Sequence, residues 1–253
     1  MMERSLSERM AQFDENYPLI LEEIARAARL SGRKPEDITL LAATKTVPLE
    51  VINHAISRGL SCLGENRVQE LLDKYPGLDK DRCDVQFIGR LQTNKVKYLL
   101  GKVSCIQSVD SMKLAQEISR LCQREGTEMK ILVEVNIGRE ESKGGVLPEE
   151  LLPFLEKVSK LPGLRVDGLM TIPPVCAQKE ELCRYFSEMR QYYVDIAAKR
   201  LDNVSMNCLS MGMSSDFSEA IQCGATMVRV GSALFGARQY PAAKEENLDL
   251  GGR

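Results

Sequence analysis

A lysine that leaves an apolar run is the residue in this sequence with the most distinctive chemistry. In Leu40-Leu41-Ala42-Ala43-Thr44-Lys45-Thr46 the amine of Lys45 emerges where a buried segment ends. Burial disfavours the ammonium form, and the neutral amine is the nucleophile needed to form an imine with an aldehyde. The plainer reading is a lysine whose stem is buried and whose head reaches water. Two later segments carry small residues and hydroxyls of the kind that surround an anion. They are Leu209-Ser210-Met211-Gly212-Met213-Ser214-Ser215-Asp216 and Val228-Arg229-Val230-Gly231-Ser232-Ala233-Leu234-Phe235-Gly236. Small residues let backbone N–H groups approach an anion, and hydroxyls at a helix start add donors along the favourable dipole. Ser214, Gly231 and Ser232 are therefore candidate phosphate ligands. The plainer reading makes Ser-Ser-Asp an N-cap and Gly-Ser a turn.

Other chemistries find little support. No G-x-x-x-x-G-K-[ST] motif is present, so P-loop binding is excluded. His54 is the only histidine and lies on a helical pattern, which argues against His-based zinc sites and Ser-His-Asp triads. The eight cysteines are dispersed without a C-x-x-C pair, and several, such as Cys105 and Cys208, sit inside apolar runs. They read as small buried hydrophobes in a reducing compartment, and no metal site is expected. The 253 residues include 34 Lys+Arg and 36 Asp+Glu, a net charge of −2 that gives no support to nucleic acid or anionic lipid as the main partner. No apolar run approaches the ~20 residues that cross a bilayer. Met1 to Ser5 lacks the apolar stretch of a signal peptide. A soluble cytoplasmic protein is the expectation.

These candidate groups need elements to position them. Eight short apolar runs rich in β-branched residues read as strands: Ile38–Thr44, Leu60–Gly64, Val85–Gly89, Val103–Val109, Met129–Asn136, Leu164–Met170, Val204–Ser210 and Thr226–Val230. Amphipathic segments alternate with them, such as Leu114, Ile118, Leu121 and Cys122 after the fourth run. Asp216-Phe217-Ser218-Glu219 has the pattern of a capping box. Strands alternating with helices build parallel sheets, and eight units in this length predict a single (β/α)8 TIM barrel. An open doubly wound sheet is the alternative, because periodicity does not distinguish closure from openness. Residues 1–37 form an additional N-terminal helical region, read as two helices divided by Pro18. Residues 242–253 read as a loose tail, and the whole chain 1–253 as one domain.

In such a barrel the functional groups belong at the C-terminal ends of the strands, and the loops after strands seven and eight form a common phosphate corner. Ser214, Gly231 and Ser232 fall there, with Lys45 across the mouth. An imine-forming lysine opposite a phosphate cup fits a phosphorylated aldehyde, pyridoxal 5′-phosphate. Arg229 stands two residues before Gly231 on the same strand face. Aimed at a pyridine nitrogen, its permanently protonated guanidinium would donate to that nitrogen and keep it unprotonated, weakening the ring as an electron sink. The plainer reading is an arginine bridging carboxylates within the barrel.

Several blocks resemble the pyridoxal phosphate homeostasis proteins, the YggS/PROSC family. They are Ala42-Ala43-Thr44-Lys45-Thr46-Val47, Gly64-Glu65-Asn66-Arg67-Val68-Gln69-Glu70, Phe87-Ile88-Gly89-Arg90-Leu91-Gln92-Thr93-Asn94-Lys95, Gly168-Leu169-Met170-Thr171-Ile172-Pro173 and the two segments around Ser214 and Gly231. The resemblance implies a barrel like the N-terminal domain of alanine racemases, with pyridoxal 5′-phosphate bound as a covalent aldimine on Lys45. It further implies Ser214, Gly231 and Ser232 as the phosphate cup and Arg229 as the partner of the ring nitrogen. Asn66 is placed near the ring hydroxyl and Met170 against the ring. Gln86 stands where many members have histidine, and the loop from Asn136 to Gly144 matches the family without an assigned role.

The implied function is cytosolic homeostasis of pyridoxal phosphate (vitamin B6): holding a reactive aldehyde, limiting its free level and passing it to pyridoxal-phosphate-dependent apo-enzymes. No catalytic residue is assigned. A racemase needs a second base on the opposite face of the substrate carbon. In racemases resembling this barrel that base is a tyrosine from a further domain, for which the 17 residues after Gly236 leave no room. A slow amino-acid racemase is the alternative, and a cofactor-free sugar-phosphate barrel a third. A monomer is preferred over a dimer.

Overall fold

The eight predicted runs all become strands in the computed structural model, which describes residues 5–176 and 178–236. They are β1 (Thr39–Ala43), β2 (Cys62–Glu65), β3 (Asp84–Phe87), β4 (Cys105–Val109), β5 (Met129–Val135), β6 (Leu164–Thr171), β7 (Val204–Ser210) and β8 (Met227–Val230). Each pairs in parallel with the next, and Thr39–Ala42 of β1 pair with Met227–Val230 of β8. The sheet is therefore a closed barrel, and the open-sheet alternative falls. The helices are α1 (Leu6–Leu30), α2 (Leu49–Ser57), α3 (Val68–Lys74), α4 (Met112–Glu125), α5 (Leu151–Val158), α6 (Lys179–Lys199), α7 (Phe217–Gln222) and α8 (Ser232–Phe235). The crossover from β3 to β4 departs from the strict alternation. It contains a 3₁₀ segment, Thr93–Tyr98, in which only Val96 is buried.

Strand alternation divides the apolar residues into two cores. Ala42, Leu63, Phe87, Ile131, Leu169 and Val228 belong to the outer core with the buried faces of the helices. Leu41, Cys62, Ile88 and Met227 form a separate inner cluster, and Cys105, Leu132 and Met170 another. The lumen is thus filled by side chains rather than open. Burial raises the thiols of Cys62 and Cys105, so they act there as small apolar groups. All eight cysteines are free; Cys62, Cys105 and Cys122 are buried, and the other five are half-buried.

One expectation for the N-terminal region changes. Pro18 does not divide it: α1 runs unbroken for 25 residues. Packing on both sides of the proline outweighs the missing backbone donor. Before it, Phe13 stacks on Tyr17 and Phe235; after it, Ile24, Ala27 and Ala28 are buried. The helix flanks the barrel, packing against α2, α7 and α8. Since α8 has only four residues, α1 covers the ground that a full eighth helix would. His54 serves this contact, its Nε2 lying 2.9 Å from Asp14 Oδ1, while Arg58 donates to the same carboxylate. The expected tail, 242–253, lies outside the described residues. No helix of the described residues is long and apolar enough to cross a membrane.

Candidate functional site

Lys45 lies two residues beyond β1, half-buried, at the C-terminal end of the barrel. Its neighbours are fastened to the adjacent unit. Thr44 Oγ1 donates to Glu65 Oε1 at 2.7 Å, Lys74 Nζ donates to Thr44 O at 2.9 Å and to Glu65 Oε1 at 2.8 Å, and Thr46 N donates to Glu70 Oε2 at 3.0 Å. Glu65 and Glu70 stand in a sequence block already singled out, yet nothing in a linear string says that their carboxylates would meet the Lys45 loop.

The loops after β7 and β8, which carry Ser214, Gly231 and Ser232, meet at the C-terminal end of the barrel. Ser214 Oγ accepts from Gly231 N at 3.1 Å and from Ala233 N at 3.2 Å, which joins the loop after β7 to the loop after β8. Two backbone donors converging on one oxygen is an arrangement that suits a phosphate oxygen. The corner also touches β1. A Cβ at Gly231 would lie 3.2 Å from Ala43 O, so a side chain here would have to push that carbonyl back by a few tenths of an ångström. Ser232 is exposed at the start of α8. The expected capping box at Asp216 does not form. Asp216 Oδ1 instead accepts from Met213 N at 2.5 Å, folding the loop back on itself. Burial raises the Asp216 carboxyl, against the Met213 N–H and the charge of Arg229.

Arg229 lies inside the barrel, 5% exposed. Among the described residues it bridges no carboxylate: Nη1 donates to Ser210 Oγ at 2.6 Å and Nη2 to Thr171 O at 2.9 Å. Burial lowers its pKa to about 10, so it remains a cation at neutral pH, helped by the charges of Glu134 and Asp216. From it a hydrogen-bonded chain crosses the lumen to the exposed Asp84. Ser210 Oγ donates to Gln107 Oε1 (2.7 Å), Gln107 Nε2 to Gln86 Oε1 (2.6 Å), and Gln86 Nε2 to Asp84 Oδ2 (2.7 Å). A cation that only donates stands at one end and a carboxylate that only accepts at the other, so every link points the same way. Sequence reading missed Gln107, which no motif marks. Gln86 was noted as a departure from histidine, and here it relays this chain.

Met170 packs in the lumen with Cys105 and Leu132, level with Ser210 across the β6–β7 pair. Asn66 follows β2, half-buried, and its side chain makes no hydrogen bond among the described residues. Its backbone is crowded, since a Cβ at Gly89 would lie 2.0 Å from Asn66 O. The loop from Asn136 to Gly144 is self-bracing: Asn136 Nδ2 donates to Glu140 O, Glu140 N donates to Asn136 Oδ1, and Lys143 Nζ donates to Pro173 O. No group of three or more His, Cys, Asp or Glu among the described residues is placed to hold a metal ion.

Glu134 on β5 faces the Met170 level of β6, and burial raises its pKa to about 7, with Asp110 adding and Arg229 and Arg90 opposing. A carboxyl raised in the folded state is most favourable below its unfolded value, ~4.3. That contribution is lost as pH rises through about 7. Glu134→Gln removes the titration, so its gain in stability over the parent grows from near zero at pH 4 to roughly 3–4 kcal/mol at pH 8. Melting temperatures of both proteins across that range check this; a difference that does not change with pH refutes it.

Residues 22–239 match the family model described as "Alanine racemase, N-terminal domain". A protein of Aquifex aeolicus named pyridoxal phosphate homeostasis protein is 47% identical over 226 residues, 89% of this chain and 98% of its own. Among solved structures, an unknown protein from Bifidobacterium adolescentis superposes with a TM-score of 0.87 at 35% identity, covering 93% of this chain and 98% of that one. PipY of Synechococcus elongatus with PLP bound gives a TM-score of 0.74 at 32% identity, over 84% of this chain and 100% of that one.

Proposed function

The chain belongs to the pyridoxal phosphate homeostasis family, built on the alanine racemase N-terminal domain, and from that premise we propose that it holds pyridoxal 5′-phosphate on Lys45 and governs its supply in the cell. The observation that carries this reading is the junction of three elements. Gly231, whose N–H brackets the Ser214 oxygen together with that of Ala233, abuts Ala43, two residues from Lys45, with the Arg229 cation in the strand beneath. In this reading Ser214, Gly231 and Ser232 hold the phosphate. Arg229 donates to the ring nitrogen, Asn66 lies near the ring hydroxyl, and Met170 lies toward the ring. The bound group supplies an aldehyde that condenses reversibly with an amine and releases water. The residues of the chain bind it, orient it and keep Lys45 beside it.

The chain acts in this reading as a monomeric, one-domain cytoplasmic carrier that releases its cargo to apo-enzymes and catalyses no reaction of its own. An arginine donating to the ring nitrogen supports that, because it leaves the ring a poor electron sink. The test is borohydride reduction after incubation with excess pyridoxal phosphate, followed by peptide mass spectrometry. A reduced adduct is expected on the Lys45 peptide, missing from that peptide in a folded Lys45→Ala variant. An unmodified Lys45 overturns the reading.

A further inference from the structure

We infer that Glu70 is a positioning residue for Lys45: its carboxylate holds the strained backbone of Thr46 and so fixes the direction in which the lysine leaves β1. The inference rests on the reading that Lys45 carries the cofactor. Thr46 has φ +63°, one of four non-glycine residues with positive φ among the described residues and the only β-branched one. Such a residue is a true outlier, because its branched Cβ collides with its own backbone there. It persists only where the surroundings over-determine it.

Those surroundings are charged and come mainly from α3. Glu70 Oε2 accepts from Thr46 N, the N–H of the peptide that follows Lys45. Lys74 Nζ donates to Thr44 O, the carbonyl of the peptide that precedes Lys45. Lys74 also lies 3.6 Å from Glu70 Oε2 and 2.8 Å from the buried Glu65, which holds the Thr44 hydroxyl. Arg9 of α1 donates to Thr46 O at 3.4 Å. Both peptide planes that flank Lys45 are thus tied to one short helix, and with them the bond from its Cα to its Cβ. Removing Glu70 frees the second plane, and Thr46 then relaxes toward ordinary φ, turning the lysine.

The test uses the full-length chain and four variants: Glu70→Ala, Glu70→Gln, Thr46→Gly, and the double change Thr46→Gly with Glu70→Ala. Two readouts are taken. One is the rate at which Lys45 captures added pyridoxal phosphate, followed by reduction and mass spectrometry. The other is the labelling of Lys45 by acetic anhydride in cofactor-free protein, with melting temperature as the check on folding. Glu70→Ala is expected to slow capture about tenfold or more and to shift Lys45 labelling severalfold. Glu70→Gln, which keeps an acceptor oxygen, stays within about threefold of the parent. Glycine tolerates positive φ without a clamp, so Thr46→Gly added to Glu70→Ala restores much of the lost rate. Parental capture and labelling in Glu70→Ala overturn the inference. So does a slow Glu70→Ala that Thr46→Gly does not improve and Glu70→Gln reproduces, since that marks general damage rather than lost aim. If the parent itself shows no adduct on Lys45, the reading of the cofactor site fails, while the labelling of Lys45 still decides the clamp.

Discussion

Gly168→Ala is expected to destabilise the barrel by roughly 3–5 kcal/mol, about 10 °C in melting temperature. A Cβ at this position would stand 1.8 Å from Cys208 O and 2.7 Å from its carbonyl carbon. Both atoms are backbone of the neighbouring strand, so no side-chain rotation relieves the clash. The backbone has φ +154°, and the β6–β7 register shifts between Val166 and Gly168. This irregularity does more than allow two strands to touch. It sets the depth of the next three residues, placing Met170 level with Ser210 and Thr171 O against Arg229. Gly168→Ala is therefore expected to weaken cofactor binding as well, in proportion to how far Thr171 O moves. Thermal melting of the cofactor-free variant within about 3 °C of the parent would show that β7 yields easily and would remove this account of the glycine in Gly168-Leu169-Met170-Thr171.

Arg229→Met separates stability from binding. The pKa of the arginine, lowered by burial to about 10, means that burying the cation costs about 3 kcal/mol, which an apolar side chain of similar length avoids. Against that stand two lost charge-assisted hydrogen bonds, to Ser210 Oγ and Thr171 O, each contributing about 1.5–3 kcal/mol. The opposing effects nearly cancel, so the cofactor-free variant should melt within about 5 °C of the parent. Affinity for pyridoxal phosphate should fall about 10–100-fold, the worth of one charge-assisted hydrogen bond. Arg229→Lys should not rescue it, because a single ammonium cannot serve the two acceptors that the planar fork reaches together. A collapse of the melting temperature with unchanged affinity would mean that the arginine is a strut and that the ring nitrogen has another partner.

Much of this was present in the linear string. The eight strands were legible because parallel barrel strands are short, apolar and β-branched, and because their alternation with helices is a periodic signal. The position of Lys45 and of the segments around Ser214 and Gly231 at one end of the barrel was legible because each directly follows or closes a predicted strand. Closure was not legible, since an open sheet and a barrel share the same periodicity; only the pairing of β1 with β8 decides it. Pro18 was misread as a break because propensity is local, whereas Phe13, Ile24 and Ala27 hold α1 together through contacts distant in sequence. Asp216 was misread as a capping box for a related reason: a carboxylate at a loop has several donors within reach, and here Met213 N wins over the helix.

What the sequence determined by itself was the set of eight strands and the end of the barrel at which Lys45, Ser214 and Gly231 stand, because those follow from residue type and from the period of the strands. What only the tertiary structure decided was how each group is aimed. The chain from Arg229 through Ser210, Gln107 and Gln86 to Asp84 draws on four strands. The grip on Lys45 joins α3 to the end of β1 across about one β/α unit. Hydrogen bonds reach only about 3 Å and depend on angle, so partners remote in sequence acquire meaning only after the barrel has closed around them.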